Sequence, residues 1–344
     1  MRVAIVNNAV PFLRGGAEHL ADALVTHLRR RGHRAVSIGI PFRWDSVDAV
    51  LESAFACFSL RIPDVDRVVA LKFPAYYVPH DDKVVWLLHQ FRQAYDLWGT
   101  PFQDIPDTPS GRAARDAIRS ADSKVLRPLR IYTNSHVTSE RLATFNGIES
   151  TVLYPPLLDD AHFGCEEYGD YLFYPSRVNG AKRQLLAIEA MAHVRTGVRL
   201  VIAGAVEPPP DEQGIRALIE RLGVGDRVAF LAGFLDEAEK ARLFARALGC
   251  VYVPYDEDSY GYVTLEAYAS RKPVVTATDS GGTSIVVRDG ETGFVTEPHP
   301  AELAVAFDAL YADRDRARNM GEAGHALVQG MRITWDHVVE TLVA

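Results

Sequence analysis

The residues best suited to chemistry lie in one stretch, Asp258-Ser259-Tyr260-Gly261-Tyr262-Val263-Thr264-Leu265-Glu266. The apolar run Cys250 to Val253, closed by Pro254, leads into it. The helical pattern Val263 to Ser270 leads out. In an open α/β sheet, ligands sit beyond the carboxyl end of a strand and face a helix N-terminus. Asp258 precedes the turn and is placed to hold sugar hydroxyls. Glu266, one helical turn in, is placed to accept hydrogen bonds from adjacent hydroxyls, as acids after such strands do with ribose. Gly261 between them lets backbone approach a ligand closely. An acid near a helix N-terminus is also favoured by the helix dipole alone, which accounts for Glu266 better than for Asp258.

Three further groups have chemical potential. Arg177 and Lys182 flank a loop containing Gly180, after the apolar run Tyr171 to Tyr174. They read either as clamps for a diphosphate, Arg binding two oxygens in a plane and Lys acting as a point charge, or as solvated surface cations. The pairs Gly15-Gly16 and Gly281-Gly282 read either as backbone N–H sites for an anion at a helix start or as plain turns. His89-Gln90-Phe91-Arg92 follows the apolar run Val84 to Leu88. His89 there reads as a ligand contact in the mouth of a parallel sheet or as a hydrogen-bonded structural residue. Asp256-Glu257-Asp258 looks like an acid-x-acid metal element suited to Mg²⁺ or Mn²⁺. The spacing of Asp258 to Glu266 is the more informative relation, so no metal ligands are assigned.

These groups need elements to position them, and the chain supplies two alternating sets. The first runs from the strand Arg2 to Val6, through the glycine loop and the helix Ala17 to Arg31, to the strands Ala35 to Ile38, Arg67 to Leu71, Val84 to Leu88, Arg130 to Thr133 and Thr151 to Tyr154. A basic amphipathic helix is expected over Gly111 to Lys124, and Ser135 caps another. Arg29-Arg30-Arg31 reads as cations complementing a helix C-terminus or as a membrane-surface or acceptor patch. The second set starts at Tyr171 and adds strands at Val198 to Ala203, Arg227 to Leu231, Cys250 to Val253 and Pro273 to Ala277, with helices at Lys182 to His193, Glu212 to Leu222, Asp236 to Ala247 and Val263 to Ser270. Helices at Ala301 to Tyr311, Arg314 to Gln329 and Trp335 to Val343 finish the chain, with a break at Gly330. Repeated βα alternation implies parallel sheets. The expected domains are 1–158 with the terminal helix 331–344, a linker 159–169, and 170–330, with the binding site in the cleft between two facing sheets.

Composition bounds the function. At 344 residues, about two domains of roughly 150 residues each are expected. A net charge of −8 argues against a broad nucleic-acid surface. The scattered Cys57, Cys165 and Cys250 fit a reducing compartment. No run approaches the roughly 20 apolar residues of a membrane span. The expectation is a cytoplasmic protein with at most peripheral contact to the inner membrane face. The first strand is followed by no Gly-x-Gly-x-x-Gly or Walker loop, against a dehydrogenase or NTPase.

Taken together these pieces resemble the retaining, GT-B fold glycosyltransferases of family 4, also called group 1, and most resemble its mannosyltransferases. The matching segments are Gly15-Gly16-Ala17-Glu18, Ser176-Arg177 through Lys182-Arg183, Phe230-Leu231-Ala232-Gly233-Phe234, Asp258 to Glu266, Gly281-Gly282, and Asp289-Gly290-Glu291-Thr292-Gly293-Phe294. Lys182-Arg183 and His89 to Arg92 carry the mannosyltransferase likeness. The resemblance implies an α/β fold of two Rossmann-like domains, with the last helix crossing back to the N-terminal acceptor domain. It implies transfer of mannose or another hexose from a nucleoside diphosphate sugar to a hydroxyl acceptor such as a glycan, glycolipid or natural-product intermediate, with no cofactor. It assigns Gly15, Gly16, Arg177 and Lys182 to the donor phosphates, Glu266 to the ribose and Phe234 to the base. It assigns the backbone of Tyr260, Gly261, Tyr262, Val263 and Thr264 to sugar and phosphates, Asp258 to the sugar hydroxyls, and His89 to the anomeric centre. The chain departs from the pattern at Asp258, one methylene shorter than the usual Glu, at Tyr260 for Phe, at Ile285 where a Glu often follows the glycines, and at Arg183 for Gly. A nucleotide-sugar epimerase and a non-catalytic nucleotide-sugar binder are the alternatives.

Overall fold

The computed structural model describes residues 1–10, 15–100, 102–158, 162–207, 211–257 and 259–344. The chain divides into two compact units, Met1–Leu158 with Ile333–Ala344, and Asp159–Arg332.

The N-terminal unit contains β1 (Arg2–Ala9), α1 (Gly16–Arg30), β2 (Arg34–Pro41), α2 (Val47–Ala56), β3 (Arg67–Ala70), β4 (Lys83–Leu87), α3 (Pro109–Leu126), β5 (Arg130–Thr133), α4 (His136–Asn146) and β6 (Thr151–Val152). Its six-stranded sheet has the order β2-β1-β3-β4-β5-β6, with parallel pairing throughout. β3 is buried along its whole length, as expected of a strand covered by helices on both faces. The chain winds from β1 outward to β2 and then returns to place β3 on the other side of β1. Such reversals open a crevice at the carboxyl ends of the strands.

The C-terminal unit contains β7 (Tyr171–Pro175), α5 (Gln184–Met191), β8 (Arg199–Gly204), α6 (Glu212–Arg221), β9 (Val228–Ala232), α7 (Glu237–Arg246), β10 (Gly249–Val251), α8 (Tyr262–Ala269), β11 (Val274–Ala277), α9 (Gly282–Val286), β12 (Gly293–Thr296), α10 (Pro300–Ala312) and α11 (Arg314–Gly330). Its sheet order is β12-β11-β10-β7-β8-β9, again parallel. Here the reversal falls between β7 and β10, so the loops after these two strands meet at one crevice.

The last helix, α12 (Trp335–Val343), belongs to the N-terminal unit. Its Val338, Val339 and Leu342 join Leu20, Leu24 and Leu28 of α1 in one core cluster around Trp86. Each such side chain contributes roughly 1.5–3 kcal/mol by leaving water. Arg67 donates to the Leu342 carbonyl at 3.0 Å, and Trp335 Nε1 to that of Leu157 at 2.8 Å, closing polar groups at both ends of the helix.

Several expected boundaries shift, and one helix is added. α5 begins at Gln184, because Gly180–Lys182 forms a 3-10 turn and Arg183 adopts φ 54° before the helix. β10 ends at Val251, two residues before the end of the apolar run. α11 runs through Gly330, and the chain breaks after it, where Arg332 adopts φ 53°. α2 was not anticipated. Its ten residues are started by Ser46, whose hydroxyl accepts from Ala49 N at 3.1 Å, and it buries only Ala49, Val50 and Ala54.

Candidate active site

Lys182 reaches the crevice of the C-terminal unit from the β7 side. Asn179 holds its backbone N–H at 3.0 Å, and the Tyr174 hydroxyl donates to its carbonyl. Its ammonium donates to the Tyr252 hydroxyl at 2.9 Å, lies 5.3 Å from that ring's centroid, and is ion-paired with Glu257. Tyr252 also donates to Glu257 Oε2 at 3.1 Å. Burial and the nearby Glu257 carboxylate keep the Tyr252 phenol far above its ordinary range. A lysine, a carboxylate and a phenol after β7 and β10 are therefore gathered into one cluster.

The β10–α8 turn is shaped by glycine. Gly261 adopts φ 69°, and a Cβ there would lie 2.3 Å from the Tyr252 ring. Gly261 is the N-cap of α8 and brings no side chain to it; its own N–H donates to the Ser259 hydroxyl at 3.3 Å, and the Thr264 N–H donates to the Gly261 carbonyl at 3.1 Å. Gly281 presses on the same loop: it adopts φ 60°, and a Cβ would lie 2.3 Å from the Glu257 carbonyl. The N–H of Gly282 donates to that carbonyl at 2.9 Å. The glycine pair thus braces the loop. Tyr260 is buried in the core, and its carbonyl accepts from Thr264 at 2.6 Å and Thr283 at 3.2 Å. Val263 follows Tyr262 in the first turn of α8. Asp258 lies outside the described residues.

Glu266 is 6% exposed, and Lys240 of α7 donates to its Oε1 at 2.6 Å. Its Oε2 is buried and finds no hydrogen-bond partner among the described residues, and the same holds for the Tyr262 hydroxyl. Burial pulls the Glu266 carboxyl above its ordinary range, with Lys240 opposing. For Lys240 the net direction is also upward: burial lowers it, but Glu266 and Glu237 together prevail. An orphaned buried carboxylate oxygen is costly unless something donates to it.

Other expected residues are placed differently. Arg177 is on the surface, paired with Glu207 at 2.9 Å, and does not join Lys182. Gly15 does cap α1, but its N–H donates to Glu18 Oε2 at 2.8 Å. That carboxylate also takes bonds from Asn7 at 3.1 Å and Lys72 at 3.3 Å, so the chain supplies its own anion at the Gly15-Gly16 helix start. Burial would raise the Glu18 carboxyl, but Lys72 and the backbone N–H groups hold it below its ordinary range. Phe234, after the edge strand β9, is 88% exposed. Among the described residues no group of three or more His, Cys, Asp or Glu converges on a metal position.

In the N-terminal unit, His89 Nδ1 donates to the Gln90 carbonyl at 2.7 Å, which keeps that proton on Nδ1. A buried network supports this loop. The Gln90 amide bonds Asn146, Asn146 bonds the Tyr95 hydroxyl at 3.3 Å, and Tyr95 bonds Asp122 at 2.7 Å. Tyr76 and Tyr77 complete the acid's partners at 2.9 and 2.6 Å. Burial pushes the Asp122 carboxyl up to about 6. Sequence reasoning missed this network and also missed Arg183. The Arg183 guanidinium grips Asp279 through two bonds of 2.7 and 2.8 Å and donates to the carbonyls of Val253 and Pro254. Its positive φ accounts for the glycine that the resemblance places there. The departure from Gly is a clue in the sequence; the tyrosine cluster leaves none.

Residues 161–326 match the model of the family described as glycosyl transferases group 1. A D-inositol 3-phosphate glycosyltransferase of Gordonia bronchialis is 32% identical over 323 residues, covering 81% of this chain and 67% of the relative. Across eight curated relatives, the match spans from 32% to 69% of their length. A sucrose-phosphate synthase structure from Thermosynechococcus elongatus superposes with a TM-score of 0.78 at 17% identity, covering 99% of this chain and 97% of that one. HepE of Anabaena in complex with UDP and glucose superposes with a TM-score of 0.72 at 17% identity, covering 100% and 98%. These likenesses identify the fold as that of the GT-B glycosyltransferases. With the family model and the Gordonia relative agreeing on the sequence, the chain belongs to the group 1 glycosyltransferases.

Proposed function

We propose that this protein transfers a hexose, mannose being the first candidate, from a nucleoside diphosphate sugar to a hydroxyl acceptor, with retention of anomeric configuration and without a metal. The observation that carries the reading is the buried, half-paired carboxylate of Glu266, one turn into a helix that Gly261 starts against the ring of Tyr252, whose hydroxyl Lys182 holds. Ribose hydroxyls are donors of the kind Glu266 Oε2 lacks. A diphosphate has the charge to draw Lys182 from Glu257, and Arg177 from Glu207, into bidentate and point-charge contacts. The N–H groups starting α8 add a site for negative charge. The complex of HepE with UDP and glucose supports a nucleotide-sugar donor.

In the reaction the bond from the anomeric carbon to the phosphate oxygen breaks, and the acceptor oxygen bonds to that carbon on the same face. The acceptor proton passes to the departing phosphate. Lys182 and the α8 N-terminus stabilise the charge that builds on the leaving group, which is the role a metal would otherwise fill. His89 is proposed to touch the transferred sugar, Asp258 to hold its hydroxyls, and Phe234 to stack on the base.

The test is a thermal-shift panel of UDP-, GDP-, ADP- and dTDP-sugars, followed by turnover with the sugar that binds. A ligand at 100 times its Kd stabilises by about 2.7 kcal/mol. Lys182→Ala should lower turnover roughly tenfold to over a hundredfold, the worth of one charge-assisted bond. Near-normal turnover in that variant would overturn the assignment. Conversion of the donor with no acceptor present would instead identify an epimerase, and donor binding with no transfer a non-catalytic binder.

A further inference from the structure

The N-terminal unit contains a pocket of about 540 Å³ lined by His89. It lies at the carboxyl ends of β1, β2 and β4, where the strand order reverses. Its walls are aromatic. Phe73 and Phe91 stack with centroids 4.9 Å apart, and Phe42 meets them edge-on at 5.8 and 6.2 Å. Trp44, 54% exposed, stands 6.0 Å from Phe42 at the rim. Its neutral polar side chains are Asn8, Ser46, His89, Gln90 and Gln93.

Among the described lining residues there is no lysine or arginine, while Asp45 and Asp104 are both present. Arg43 pairs with Asp45 at 3.0 Å outside the lining, and the Gln93 amide donates to Asp104 at 2.9 Å. The start of α2, a place where helices otherwise attract anions, is flanked by Asp45 and Asp48. Among the described lining residues a phosphate seated here would meet two carboxylates and no cation of the kind that phosphate sites use.

We propose that this pocket binds the acceptor, and that the acceptor is an uncharged alcohol or phenol carried on a ring with an apolar face, without a phosphate group. The rings of Phe42, Phe73, Phe91 and Trp44 receive that apolar face, and Asn8 and His89 meet its hydroxyls. The inference rests on the glycosyl-transfer reading and narrows it. It also sets this chain apart from curated relatives named for a phosphorylated inositol.

The test uses a matched pair, 4-methylumbelliferone and 4-methylumbelliferyl phosphate, titrated by fluorescence into the full chain at mildly acidic pH where the phenol is neutral. The neutral probe should bind at least about tenfold tighter than its phosphate, the size of effect that like charges at a few ångströms produce. Trp44→Ala should weaken the neutral probe roughly tenfold through lost ring contact. Asp45→Asn combined with Asp104→Asn should tighten the phosphate several-fold and leave the neutral probe within about twofold, since the swaps keep shape and remove charge. Equal or tighter binding of the phosphate, or binding of neither probe, overturns the acceptor assignment even when nucleotide sugars stabilise the protein. The expected probe pattern in a protein that no nucleotide sugar stabilises would uphold the pocket and overturn the transfer reading instead.

Discussion

Glu266 and Asp122 are two buried acids in opposite situations. Glu266 has one oxygen held by Lys240 and one without a partner. If a ribose hydroxyl is the missing donor, Glu266→Gln should weaken nucleotide-sugar binding by about tenfold to a hundredfold, matching a charged hydrogen bond of roughly 1.5–3 kcal/mol. Isothermal titration reads this directly, and an unchanged Kd would remove the ribose role. Asp122 is fully paired by three tyrosine hydroxyls, yet burial lifts its carboxyl from 3.8 to about 6. The folded state therefore holds this proton more tightly than the unfolded chain does. The stability it contributes is complete below about pH 4 and is lost as the pH rises through about 6. A shift of that size corresponds to on the order of 3 kcal/mol. Asp122→Asn mimics the protonated form, so its stability should change less than the native protein's between those two pH values. Urea midpoints across that window measure the difference, and equal slopes would refute it.

At the level of elements, the alternation of strands and helices was legible because each strand is a short apolar run and each helix keeps one apolar stripe. The β7 and β10 loops were legible for the same reason: cations, acids and glycine gather just past apolar runs. What sequence could not give was pairing. Arg177 and Lys182 look equivalent by spacing, but one faces Glu207 on the surface and the other faces Glu257 and Tyr252. Gly15-Gly16 reads in sequence as an open anion site or as a plain turn, and in the fold Glu18, three residues after Gly15, reaches back to its N–H. α2 escaped notice because alanines make up much of its buried face. The glycine at the start of α8 was legible as a close-approach position, but the group it approaches is Tyr252, a partner only the fold supplies. Gly261→Ala puts a methyl against that ring at a positive φ. Strain there costs on the order of 1–3 kcal/mol, and the turn must shift away from Lys182. Lower thermal stability together with weaker donor binding is expected, and a variant matching the native protein in both would show that the turn is not fixed by this contact.

For the whole molecule, the chain begins and ends in the same unit. α12 follows the entire C-terminal unit and still completes the core over α1, with Leu342 fully buried among Leu20, Leu24 and Leu28. Exposed ion pairs of Arg31 with Asp336 and Glu340 lie along this contact, but pairs of that kind add little. Apolar burial is what holds the helix. Leu342→Ala should therefore destabilise the N-terminal unit by about 2–5 kcal/mol, the usual cost of an unfilled leucine cavity. The groups in the proposed donor site, Lys182, Tyr252, Glu257 and Glu266, all lie in the other unit, and the partners described for them, Lys240 among them, lie there too. In denaturant, the variant should lose the native signal of Trp86 and Trp335, the core tryptophans of the N-terminal unit, at lower concentration. Below that transition its affinity for a nucleotide sugar should match the native protein's. A fall in donor affinity equal to the fall in stability would mean that the two units do not fold separately, and the proposal that the C-terminal unit holds the nucleotide by its own groups would have to be withdrawn.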